Sequence, residues 1–155
     1  MKGIMKWPLI IALVVIVARV ILELAGQPVP TTNLLSVVVL HTLLVPLYLG
    51  VRIAMDGVSR PYGTLFKLVV LYVVYARLMI LPVYWLARIY HWNQPRFEGL
   101  WGPGVSAFRG FIGVPFATAA IWIVLSTVIG GLLGSLILAI GRRFFASSTA
   151  GSSRV

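Results

Sequence analysis

Arg19, Glu23, His41 and Arg77 have the types and positions that could do chemistry, because each lies inside a long apolar run. A charged side chain at the centre of a membrane helix costs roughly 2.5 to 3.5 kcal/mol on the translocon scale, so such groups seek one another or a cavity. Arg19 and Glu23 are one helical turn apart and share a face. At 1.5 Å of rise per residue, Arg19 lies about 18 Å beyond Trp7, and His41 about 12 Å in from Asn33. Arg77, about ten residues past Lys67, reaches the same level. The four residues are expected to face one another in one layer of a helix bundle.

Two arginines against one carboxylate leave excess positive charge in a low dielectric, even with His41 neutral. Such a site calls for an anion or for a partner's carboxylate. The guests that fit are a lipid phosphate, a substrate carboxylate or an acidic residue of another subunit. The simpler alternative is that Glu23 pairs with Arg19 or Arg77 and the network only fixes helix order and register. Pro46 and Pro82 deprive the carbonyls of Thr42 and Leu78 of their helical donors, which adds acceptors nearby, and Tyr72 and Tyr75 add hydroxyls.

Other chemistries lack material. With no cysteine, thiolate metal sites, disulfides and c-type haem attachment are excluded. The two histidines, His41 and His91, differ in depth by most of a leaflet, and neither has a second ligand on its own helix, so no haem, metal or other cofactor is expected. There are three acids in all and no nucleophile beside a base. Gly102-Pro103-Gly104 is loop punctuation rather than a phosphate cradle. An enzyme is not expected.

The elements that must hold the four residues follow from composition. Of 155 residues, 60% are hydrophobic and 10% charged, against roughly 25% charged in soluble domains. The apolar residues fall into four blocks, each long enough to span hydrocarbon. An all-α, four-helix integral membrane bundle is therefore predicted as a single domain over residues 1–146, with spans at about 8–25, 33–55, 64–90 and 115–141. A serine-rich tail, 147–155, is expected to be disordered. Lys2 and Lys6 ahead of an apolar run outline a signal peptide, but Arg19 and Glu23 interrupt where cleavage would occur, so a retained first helix is expected.

Basic residues in short loops mark the cytoplasmic side. With four spans, Lys2, Lys6, Arg52, Arg60, Lys67, Arg142, Arg143 and Arg154 share one side, and only Arg88, Arg96 and Arg109 the other. Both termini are thus predicted to be cytoplasmic, and the imbalance argues against dual insertion. The net charge of +10 is a topology signal rather than a nucleic-acid footprint, and the partner it implies is the lipid bilayer. The absence of organelle-targeting signals points to a prokaryotic plasma (inner) membrane.

Two further features bear on function. The 91–114 loop, rich in aromatic residues and glycine, is long enough to need a role or an order of its own. It is expected to lie along the outer interface, with rings dipped into lipid or against the helices, or else to act as a lid or docking surface. Ser126, Gly130 and Gly134 form a small-residue stripe on the fourth span, with Thr127, Gly131 and Ser135 beside it, which permits close helix packing. Packing within the chain is expected first, and contact with another membrane subunit second. The leading expectation is a non-enzymatic accessory, assembly or scaffold subunit that makes contacts through the fourth helix and the 91–114 loop. The alternative is a small transporter or channel whose anion or proton site is formed by Arg19, Glu23, His41 and Arg77.

Overall fold

The computed structural model describes residues 3–26 and 36–151, with side chains to residue 144. Every regular element among the described residues is a helix. Four of them are long and apolar enough to cross a membrane: α1 (Lys6–Leu24), α2 (Val37–Met55), α3 (Pro61–Ile89) and α4 (Val114–Gly151). The expected start of the second span near Asn33 and the loop before it lie outside the described residues.

Local sequence explains the helix ends. Gly26 adopts φ +75° after the last turn of α1 and donates its N–H to the Glu23 carbonyl at 3.2 Å, the left-handed stop that glycine makes without steric cost. Ser36 caps α2, its hydroxyl accepting from the Val38 N–H at 3.2 Å. α3 begins at Pro61, slightly before the expected start, because a proline at the first helical position gives up only a donor that has no partner there. α4 continues past the expected end at Gly141. Arg142, Arg143 and Phe144 hold helical backbone and no proline intervenes, so the helix reaches Gly151 and overlaps the segment expected to be disordered. Residues 152–155 lie outside the description.

Prolines shape α2 and α4 alike. Residues Leu40–Leu44 form a wide π turn in which the Val45 N–H reaches back to the Leu40 carbonyl. A second wide turn, Arg109–Gly113, leads into α4, with the Val114 N–H on the Arg109 carbonyl. Each ends at a Val-Pro pair, Val45-Pro46 and Val114-Pro115. A proline ring clashes with the carbonyl four residues earlier, and widening the turn gives that carbonyl room. α3 runs through Pro82 as one helix.

α2, α3 and α4 form the packed core. Ideal Cβ atoms at Gly130 and Gly134 would lie 2.7 Å from Pro46 Cγ and 3.0 Å from the Pro46 carbonyl oxygen, and one at Gly50 would lie 2.7 Å from the Gly134 carbonyl oxygen. The small-residue stripe is thus consumed by close packing of α4 on α2, the first of the two uses expected for it. α1 is peripheral. It packs on α3 and the start of α2 through Ala12 and Ile16, and 17% of its apolar window is buried, against 44% for α2 and α3.

The segment after α3 is ordered against the bundle. The α3 helix ends with His91 at φ 51° and the Trp92 N–H on the Ala87 carbonyl at 2.9 Å. A short 3₁₀ turn, Pro95–Phe97, follows. Phe97 and Leu100 are buried, Phe97 meeting Tyr84 edge-on with ring centroids 5.4 Å apart. Arg88 donates to the Leu100 carbonyl and, at 3.3 Å, to that of Ser106. Several of the loop's aromatic rings therefore face the helices, which is one of the two dispositions expected of them.

Candidate anion site

Glu23, near the end of α1, is held by two arginines. Arg19 Nε donates to Oε1 at 2.8 Å, as expected for a pair one turn apart. The second partner is Arg96, whose Nη2 lies 2.7 Å from Oε2. The sequence placed Arg96 in an outer loop and gave no reason to bring it here. The 3₁₀ turn at Pro95–Phe97 folds back over the ends of α1 and α3, with Gln94 Nε2 donating to the Glu23 carbonyl at 3.4 Å. The burial of Phe97 drags its neighbour inward. Burial holds the Arg96 guanidinium below the usual arginine range, and the Glu23 carboxylate opposes that shift.

Arg77 and His41 form the other half. Arg77 Nη2 lies 3.4 Å from His41 Nδ1, and its guanidinium stands 5.4 Å from the centre of the Trp122 ring on α4, a cation–π distance. Arg77 is 7% exposed and His41 fully buried. Among the described residues no carboxylate pairs with Arg77. The wide turn at Leu40–Leu44 carries His41, and the Tyr72 ring of α3 packs on its imidazole edge-on with centroids 5.4 Å apart. Among the described residues, buried atoms without a hydrogen-bond partner include His41 Nε2, the Tyr72 hydroxyl, Arg77 Nε, Arg96 Nε and the hydroxyls of Ser126 and Thr127.

The two halves meet across a cavity of about 320 Å³, within the size range of small-ligand sites. Arg19, Arg77 and Arg96 all line it, with Tyr84, Ser36 and Trp122. Tyr84 lines the cavity wall and packs its ring on Phe97. Ile16, Val37, Val38, Ile80 and Val83 complete the wall.

The four residues singled out in the sequence therefore do not form one mutual network. Arg19 and Glu23 join Arg96, while His41 joins Arg77 behind the cavity wall. The expectation that Glu23 pairs with Arg19 or Arg77 holds for Arg19 alone. Tyr75 is half exposed, because it lies off the centre of the buried stripe of α3 that runs through Val73, Ala76 and Ile80. His41 and His91 are engaged separately, the latter against the Trp101 ring at 5.1 Å. Among the described residues no group of three His, Cys, Asp or Glu converges as a metal site would require.

No family model matches this sequence, no curated protein matches it, and no solved structure matches its fold.

Proposed function

We propose that this chain is a non-enzymatic, multi-pass protein of a prokaryotic plasma membrane, both termini cytoplasmic, that binds an anion inside its helix bundle as the recognition site of a small transporter or channel. One observation carries the reading: three arginines line a single cavity and, among the described residues, one carboxylate pairs with them. Inside a membrane, unbalanced guanidinium charge is costly unless a counter-ion is supplied from outside the chain. A network that only fixed helix register would be served by the Arg19, Glu23 and Arg96 cluster and would need no Arg77.

The accessory-subunit reading draws less support. Part of each contact surface it relies on is used within the chain: the Gly130 and Gly134 stripe by Pro46, and Phe97 and Leu100 of the loop by the helix ends.

The test is anion binding by the purified protein, with phosphate and a dicarboxylate as probes. Arg77→Gln and Arg96→Gln should each weaken binding of the preferred anion by about tenfold or more, the loss of one charge-assisted contact, while folded yield is retained. Equal binding by wild type and both variants would remove the proposal.

A further inference from the structure

The anion site has an apolar neighbour, and the two share Arg77. On the other side of that residue a groove of about 170 Å³ runs between α3 and α4, lined by Val74, Leu78, Leu81, Phe116, Ala119 and Ile123. One guanidinium thus stands between a charged cavity and a hydrocarbon-like slot. A guest that satisfied both would have an anionic head and an apolar chain.

Access points the same way. The loop turn covers the cavity at the ends of α1 and α3, pinned by Arg96 to Glu23 and by Gln94 to the Glu23 carbonyl. On the flank, Ile16 and Arg19 of α1 and Trp122 of α4 line the same cavity, although α1 packs mainly on α3, and α4 mainly on α2 and α3. In a bilayer that flank faces lipid, so a lipid can enter sideways without crossing the covered end. Charge narrows the headgroup. Three guanidinium groups against one carboxylate leave two positive charges, and a phosphate monoester carries about −1.5 to −2 at pH 7. A phosphodiester lipid supplies only one negative charge.

We propose that the cavity binds the headgroup of a lipid phosphomonoester, such as a phosphatidate, with its hydrocarbon chain along the groove between α3 and α4. This rests on the anion-binding reading above, whose failure would take it along. The ion pair between Glu23 and its two arginines holds two of the guanidinium groups in place, while Arg77, with no carboxylate of its own, makes the contact that depends most on the guest.

The experiment uses the full-length protein in nanodiscs and three probes: dioleoyl phosphatidate, dioleoyl phosphatidylglycerol and glycerol 3-phosphate, which has the same headgroup without chains. Phosphatidate should bind about one per chain and at least about tenfold tighter than either other probe. Ala119→Trp, which fills the groove, should weaken phosphatidate by about tenfold and leave glycerol 3-phosphate unchanged. Ala120→Leu serves the same purpose if the tryptophan variant does not fold. Equal affinity for phosphatidate and phosphatidylglycerol would overturn the monoester assignment. Phosphatidate binding indifferent to both groove variants, or no tighter than glycerol 3-phosphate, would overturn the lipid assignment while leaving an anion site intact. If neither phosphatidate nor glycerol 3-phosphate depends on Arg77 and Arg96, and the dicarboxylate does not either, the anion-binding reading falls as well.

Discussion

Arg96, carried by the turn after α3, sets its Nη2 2.7 Å from the Oε2 of Glu23 near the end of α1. This contact ties together two segments that share little else, since α1 has a small buried face. Both side chains are largely shielded, 23% and 8% exposed, so breaking one partner leaves the other poorly paired. Arg96→Ala and Glu23→Ala are each expected to lower thermal stability. A double-mutant cycle should give a coupling of about 0.5–3 kcal/mol. Hydrogen exchange should also rise across residues 92–101 in the Arg96 variant; exchange confined to α1 would contradict this arrangement.

The glycines of α4 differ sharply in what they tolerate. An ideal Cβ at Gly130 falls 2.9 Å from the His41 carbonyl oxygen, on backbone that cannot swing aside, whereas one at Gly131 meets only the Phe66 ring at 3.7 Å. Gly130→Val is expected to destabilise by about 1–3 kcal/mol or more through overpacking. Gly131→Ala should be neutral or slightly stabilising, because alanine is the better helix former. Melting temperatures in one detergent distinguish the two, and equal effects would count against tight packing of α4 on α2.

Pro46 is the reason for the wide turn that carries His41. Replacing it by alanine removes the ring clash and lets α2 close into regular helix, which turns His41 away from Arg77. Pro46→Ala should leave helical content unchanged by circular dichroism and weaken anion binding. Unchanged binding would show that His41 does not help to place Arg77.

Orientation is open to direct mapping, because the chain has no cysteine and single cysteines can be introduced one at a time. Cysteines at Arg60 and Arg143 should be labelled only from the cytoplasmic side by an impermeant maleimide, and one at Ser106 only from outside. Labelling of Arg60 and Arg143 from opposite sides would break the four-span arrangement.

The four long helices were legible because hydrocarbon-length apolar blocks leave few alternatives. Helical rise puts Arg19, Glu23, His41 and Arg77 at similar expected depths, but their pairing was not legible. Depth says nothing of azimuth, so it could not separate the Arg77 and His41 pair from Arg19 and Glu23. Arg96 was out of reach for a different reason. Its position depends on how Phe97 buries against Tyr84, a tertiary contact between residues in different elements. The extension of α4 past Gly141 follows from Arg142, Arg143 and Phe144, which are compatible with helix and carry it into the serine-rich tail.

The turn at Leu40–Leu44 contains one residue more than an ordinary helical turn needs to bring the chain back to the same azimuth. The two ends of α2 therefore obey two separate helical wheels, offset by about 100°. A single projection drawn across Val37–Met55 assigns one of the halves to the wrong neighbours. By the same geometry, removing one residue from this turn would straighten the helix yet keep both flanking faces aimed as they are now.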